Sequence, residues 1–200
     1  MNPFAVGIHM RTLLALVALL AVPALHAEPA RYRIDPEHFS IAFLIEHVGY
    51  ARIMGQFTQA SGEFVYDEQN QKLQSGTVEV RAASIATHHA KRDEHLRNAD
   101  FLNAATYPLI RFVATRFDAR SDASGVLRGD LTMLDRTHPV ELEIKLNKAA
   151  PYPFGHRKHT LGFSATATIE RSRWGMDYGV AEKMVGDEVE LLFEFEAIRE

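Results

Sequence analysis

VELLFEFEA, Val189 to Ala197, decides the architecture. Val189, Leu191, Phe193, Phe195 and Ala197 fall on one side, opposed by Glu190, Leu192, Glu194 and Glu196. Successive side chains of a strand point to opposite faces, so this period of two describes a strand with one oily face and one wet face. A helix would smear the same residues around its circumference. VELEIKL repeats the pattern, with Val140, Leu142, Ile144 and Leu146 against Glu141, Glu143 and Lys145. LGFSATATIE does so again, with Leu161, Phe163, Ala165, Ala167 and Ile169 on the apolar side. Half-polar strands indicate an antiparallel sheet, because parallel sheets are covered on both faces.

Outward from these segments, further strands are expected at Tyr32 to Ile34, Ser40 to Val48, Met54 to Phe57, Ala60 to Asp67 and Gly76 to Ala82. Leu109 to Phe117, Gly125 to Leu134, Pro139 to Leu146, His159 to Glu170 and Asp187 to Arg199 complete the set. Asp35-Pro36, Asp67 to Asn70, Ser124-Gly125, Asp135 to Pro139 and Gly186-Asp187 supply the turns between them. One interval departs from this rhythm. From His88 to Ala105 the pattern is helical, with Asp100 placed to cap a second short turn and Pro108 ending it. Leu96, Phe101 and Leu102 of this interval are expected over one end of the sheet. The fold class is therefore all-β, an antiparallel barrel or sandwich with one short helical insertion.

The first 27 residues read as a secretory signal peptide: Arg11, an apolar run from Leu13 to Val22, and a small residue, Ala27, at the cut. Residues 28–200 then form a single domain, with no internal repeat and no low-complexity linker. The chain has 22 Lys and Arg against 26 Asp and Glu; removing Arg11 changes the formal charge from −4 to −5. A mildly acidic chain does not suggest a nucleic-acid partner, which needs clustered cations. No later segment is apolar enough to span a bilayer once the signal is cleaved. The cysteine count is 0, which excludes disulfides, thiolate nucleophiles, c-type haem and iron–sulfur clusters. The export signal points to the periplasm.

Parity assigns an inner face: Ile41, Phe43 and Ile45, then Ile110 and Phe112, then Leu127, Leu131 and Met133, then Phe163, Ala165 and Ala167, and finally Leu191, Phe193 and Phe195. About eight strands enclose a space that side chains either fill or leave open for one ligand. Ala114, Ala165 and Ala167 are small enough to leave room. Both outcomes are compatible with alternation alone. His47 shares the parity of Ile45, which makes it either a core histidine bonded to backbone or a contact for a ligand head group.

The blocks YRIDPEHFSIAFLIEHVG, GQFTQASGEFVYD, ASIATHHAKRDEHLRNADFLNAATYPLIRF, GDLTM and IERSRWGM, in that order, resemble the YceI-like family of polyisoprenoid-binding proteins. The resemblance covers nearly all of the chain after the signal, and RDEHL…DFLNAATYP ahead of a strand is its most specific part. It implies an extended lipocalin-like antiparallel β-barrel, exported to the periplasm, with an elongated pocket for a long-chain isoprenoid or another amphiphilic lipid. Residues expected to contact such a ligand are Ile41, Phe43, Ile45, His47, Phe101, Ile110, Phe112, Leu131, Phe163, Ala165 and Phe193. Two departures from the family pattern bear on loops: Leu134-Asp135-Arg136 stands where a Gly-containing turn is usual, and an extra Phe39 sits between His38 and Ser40.

Other chemistries find little support. His88 and His95 lie two helical turns apart, too far to share an ion, while His156 and His159 could chelate weakly at a turn; no HExxH set is present, and no metal or cofactor is expected. Arg92, Asp93 and Glu94 could be read as acid–base machinery, but a helix spreads Asp93, Glu94 and His95 over different directions, so a structural tie by Arg92 and Asp93 is the better reading. Arg92 or His47, near the mouth, is expected to orient a ligand head group. No GxSxG elbow activates a serine. Trp174 either lines a rim or anchors a turn. The expectation is non-catalytic binding, storage or transport of a polyisoprenoid, quinone-like or fatty-chain ligand, with a homodimer conceivable. The alternatives are an enzyme acting on lipophiles, or a stress-related interaction protein.

Overall fold

The alternating segments close into a ring. In the computed structural model, which describes residues 28–200, strand β10 (Val185–Arg199) pairs antiparallel with β9 (His159–Glu170) on one side and β1 (Ala30–His47) on the other. From β9 the ladder continues through β8 (Arg136–Pro151), β7 (Ser124–Met133), β6 (Leu109–Ser121), β4 (Lys72–Arg81) and β3 (Ala60–Asp67) back to β1. The result is a closed barrel of eight antiparallel strands, the expected lipocalin-like class. Two further strands leave the ring. Strand β2 (Ala51–Phe57) pairs with the C-terminal half of β1, and β5 (Ile85–Ala86) pairs with β2. The expected signal peptide, residues 1–27, lies outside the described residues.

Several boundaries differ from expectation for physical reasons. Asp35-Pro36 does not end a strand: β1 runs through it, with a break in register between Ile34 and Phe39 against β10. Proline lacks a ladder donor and is tolerated at a bulge, and the extra residues reset the phase so that Ile34 and Phe39, of opposite parity, both face inward. The Leu134-Asp135 turn closes a two-residue hairpin between Met133 and Arg136, with φ of 49° and 60°. Two consecutive left-handed residues are the signature of the type I′ turn that matches strand twist.

The helical interval contracts. Helix α1 (Ala90–Arg97) is capped by His89, whose Nδ1 accepts from Arg92 N at 3.3 Å, and residues 98–107 form turns without a second helix. Asp100 does not cap: its carboxylate meets His95 Nε2 at 2.9 Å. A 3₁₀ turn at Arg171–Trp174, not foreseen from the sequence, follows β9. Trp174 is fully buried and donates from Nε1 to Leu131 O at 2.9 Å, so it anchors this turn.

Glycines set how the wall rings lie. Gly55 sits opposite Phe43 on the β1–β2 ladder, and a Cβ there would stand 2.6 Å from Phe43 Cε1 and 2.8 Å from Thr87 Cγ2. At Gly129 a Cβ would stand 2.5 Å from Phe112 Cε2 and 2.6 Å from Val113 O. Each phenyl ring therefore leans over the neighbouring strand into the space that a glycine leaves bare.

Candidate ligand-binding site

The barrel interior is divided along its length. At one end Tyr32, Leu161 and Ala197 are fully buried and gather Phe64, Tyr66, Leu146 and Phe163 about them. The rings stack in sequence: Tyr32 on Phe64 at 5.2 Å, Phe64 edge-on to Phe163 at 6.2 Å, and Tyr66 edge-on to Phe117 at 6.1 Å. The Tyr32 hydroxyl donates to Glu68, whose other oxygen lies 3.0 Å from His159 Nε2. Burial, then the hydrogen bond to Glu68, pushes the Tyr32 hydroxyl well above the ordinary tyrosine range, so it stays a donor. These groups form a solid floor.

Above the floor the barrel is open. A cavity of about 650 Å³ runs from the floor to the opposite end, within the range of small-molecule sites. Its lining on β10 extends from Val185 to Phe195, ~33 Å of strand at ~3.3 Å per residue, or ~25 Å of depth for strands tilted ~40°. The walls are hydrocarbon. Ile41, Phe43 and Ile45 line it from β1, Ile110 and Phe112 from β6, Leu131 from β7, Ala165 from β9 and Phe193 from β10. Leu127, Met133, Ala167, Leu191 and Phe195, placed inside by parity, line it as well.

Two expected positions do not. Phe163 has the right parity but the wrong depth: its ring turns down onto Phe64 and belongs to the floor, 5.3 Å from the ring of Phe195, which does line the cavity. Ala114 makes no room in the lumen; its Cβ lies 3.2 Å from where a Cβ on Gly76 would stand, against the neighbouring strand β4.

Polar groups collect at the other end. His47 pairs with Val185, so the C-terminus of β1 and the start of β10 mark the mouth. His47 lines it and is exposed, which removes the reading of a core histidine. Helix α1 lies across the mouth and presents Lys91, Arg92, His95 and Leu96, joined by Phe101 and Leu102. His95 meets Phe101 and Tyr178 edge-on and Phe101 is tilted against Tyr178, with centroids 5.0 to 5.3 Å apart. Arg171 lies under Phe101 at 5.7 Å and is 2 % exposed. It donates from Nε to Gly186 O (2.8 Å), from Nη1 to Met176 O (2.6 Å), and from Nη2 to Tyr178 O (2.9 Å) and Val185 O (3.1 Å). Burial lowers its pKa while Asp187 and Asp177 work in the other direction.

The helix is tied down by buried bonds. Asp93 Oδ1 accepts from Thr87 N at 2.7 Å and Thr87 Oγ1 at 2.5 Å, and Arg92 donates from Nε to Thr87 Oγ1 (2.7 Å) and from Nη2 to Thr87 O (2.8 Å). The Thr87 hydroxyl holds the Asp93 carboxyl below the usual carboxylate range against the opposing effect of burial. Arg97 adds bonds to Ala83 O and Ile85 O at 2.8 and 2.9 Å. This is the structural tie expected of Arg92 and Asp93. His156 and His159 do not converge on an ion: His159 goes to Glu68, and His156 Nδ1 accepts from Lys158 N at 3.0 Å.

Of the basic mouth, the sequence points to His47 and Arg92 but not to Lys91, His95 or Arg171. Lys91 and His95 are one helical turn apart and so share a face, a signal that was available. Arg171, Tyr178 and Met184 reach the mouth only through the 3₁₀ turn and the loop after it, which no periodicity announces.

Known proteins share this architecture. A model of the YceI-like domain matches residues 32–197. A UPF0312 protein of Pseudomonas aeruginosa is 37% identical over 178 residues, covering 87% of this chain and 90% of that protein. Protein YceI of Escherichia coli O157:H7 is 36% identical over 187 residues, covering 92% and 94%. Among solved structures, BcnA of Burkholderia cenocepacia superposes with a TM-score of 0.70 at 19% identity, covering 82% of this chain and 98% of that one. A polyisoprenoid binding domain from Saccharophagus degradans gives a TM-score of 0.63 at 10% identity, covering 86% and 100%. These two likenesses are of fold.

Proposed function

The chain belongs to the YceI-like family, and from that premise we propose that it is a non-catalytic carrier, binding one long apolar chain of polyisoprenoid, quinone-like or fatty type in the periplasm. The observation that carries this reading is a blind hydrocarbon cavity of about 650 Å³, floored by aromatic rings and open at one end only through a polar mouth. A solute with an apolar tail and a polar end fits such a shape with the tail down. Burying ~20 methylenes at about 0.8 kcal/mol each gives roughly 16 kcal/mol of gross driving force. The net return is nearer about 0.3 kcal/mol per heavy atom, so length and shape decide which chain is retained. The solved relative named for polyisoprenoid binding supports the same ligand class. The leader-like residues 1–27 support export.

The placement of the polar groups supports carriage without conversion. The titratable side chains that line the cavity, Glu46, His47, Lys91, Arg92, His95, Arg171 and Tyr178, stand at the mouth, away from a buried tail. Native mass spectrometry of protein purified from its source, followed by delipidation and re-exposure to long-chain isoprenoids, tests the proposal. A co-purifying lipid or stoichiometric uptake, with the lipid recovered unaltered, is the expected result. A clean unliganded mass throughout would end the carrier reading, and recovery of a chemically changed lipid would end the non-catalytic one.

A further inference from the structure

The mouth carries a charge that a neutral amphiphile does not require. Lys91, Arg92 and Arg171 all border the cavity, with His47 and His95 beside them, whereas Glu46 is the sole carboxylate in the lining. Glu46 is already engaged, since its Oε1 accepts from Gly49 N. None of the three permanent cations takes part in an ion pair among the described residues. Arg171 is the extreme case. Its guanidinium is 2 % exposed, and its four hydrogen bonds all go to backbone carbonyls. Carbonyl dipoles satisfy the N–H groups, and Asp187 and Asp177 act on the charge only through space, so among the described residues no carboxylate pairs the guanidinium directly. Asp187 is held by Ser172, accepting from N at 2.8 Å and from Oγ at 2.7 Å, and acts on Arg171 without bonding it.

We propose that the ligand's polar end is an oxyanion, a phosphate or a carboxylate, bound in the mouth by Lys91 and Arg92 within the field of Arg171. This rests on the carrier reading. Lys91 is exposed, and its ammonium makes no hydrogen bond among the described residues; Arg92 commits Nε and Nη2 to Thr87 and keeps Nη1 free. Thr87 thus holds the Arg92 fork in place with donors to spare, so little ordering remains when an anion arrives. Charge-assisted bonds from ammonium or guanidinium to an oxyanion are roughly twice as strong as neutral ones. An alcohol or a quinone carbonyl accepts from the same donors but brings no charge of its own to set against the mouth cations. The apolar walls meanwhile give the anion no route deeper, which fixes head and tail.

Binding of matched ligand pairs to delipidated protein tests this: geranylgeranyl phosphate against geranylgeraniol, and oleate against methyl oleate. The phosphate is expected to bind at least ~10-fold more tightly than the alcohol, a gap that narrows as salt is raised. A parallel gain for oleate over its ester assigns any oxyanion; a gain for the phosphate alone assigns phosphate. Lys91→Gln with Arg92→Gln should collapse the gap, and Lys91→Gln alone, at an exposed position, should narrow it without threatening the fold. Lys145→Gln, on the outer face of β8, should leave it intact. Equal affinity of phosphate and alcohol would overturn the oxyanion and spare the carrier. Retention of the gap in the double variant would overturn the assignment to these cations. If all four compounds fail to bind, the carrier reading itself falls.

Discussion

The floor and the upper barrel are built from the same ring of strands with the same alternation, yet one is solid and the other hollow. At the floor Tyr32 stacks on Phe64, Phe64 meets Phe163 edge-on, and Tyr66 meets Phe117 edge-on. Above it, the inward positions on β1, β7 and β10 are mostly aliphatic, and two of the phenyl rings, Phe43 and Phe112, are laid against the wall by Gly55 and Gly129. Alternation therefore decides which side chains face in. Whether the rings meet one another decides whether the space closes, and a wall glycine alone does not: Gly125 receives the Phe117 ring at the floor as Gly129 receives Phe112 above it.

The sharpest way to break the contrast is to remove a floor ring. Phe163→Ala should cost about 3 kcal/mol, the low end for a phenyl truncation because the residue is half-buried. It should also deepen the cavity, so that in a length series the variant retains longer chains than the parent. Urea denaturation and native mass spectrometry read the two effects. An unchanged length preference would mean that Phe163 does not limit the cavity.

The converse experiment fills the hollow part. Gly129→Val drives a side chain into Phe112 and against Val113 O, so the ring must swing toward the axis. Overpacking of this kind should cost about 2 kcal/mol, and ligand capacity should fall with it. Loss of stability with full capacity would show that Phe112 finds another seat.

Legibility from the sequence followed the same division. The inner face of β10 and β8 could be read directly, because parity survives along an unbroken strand. It cannot be carried across Asp35 to His38, where the bulge inverts it, nor does it give depth: Phe163 and Ala165 share parity, yet Ala165 lines the cavity and Phe163 packs into the floor. The mouth was the least legible region. Its cations come from a helix whose apolar periodicity is weak and from Arg171, whose position depends on a 3₁₀ turn and on carbonyls far along the chain. His47 was placed by parity, but its exposure depends on how far β1 outruns the floor.

A smaller effect should follow from loosening the mouth without touching the wall. Asp93→Asn weakens the acceptor for Thr87 N and Oγ1 at a buried position and should cost about 1 to 2 kcal/mol. The loss should be local: hydrogen exchange should speed up in α1 and at Thr87 while the floor strands stay protected. The pKa of Asp93 lies below its unfolded value, so its contribution is present above the ordinary carboxylate range and is lost as pH falls through the folded pKa. The parent at low pH should therefore mimic the variant.

The smallest effect concerns the β1 bulge, which sets the phase of the wall between floor and mouth. His38 Nδ1 lies 2.7 Å from Asp35 Oδ2 and 3.8 Å from Glu196 Oε2. The hydrogen bond to Asp35 raises the His38 pKa; burial works upward on Asp35, but its bonds from His38 and Glu37 N outweigh that and lower it. The signs of the two shifts define a window. The histidine's contribution is complete below its ordinary value of ~6.5 and fades as pH climbs through the raised folded pKa, while that of the aspartate is complete above ~3.9 and fades as pH falls through the lowered one. Between those limits the bulge is tightest. Amide exchange at Glu37, whose N donates to Asp35 Oδ1 at 3.0 Å, should then accelerate, beyond the intrinsic rise with pH, as His38 deprotonates. His38→Gln should remove that inflection. If the inflection survives in His38→Gln, another group tunes the bulge, and the wall's phase does not depend on this pair.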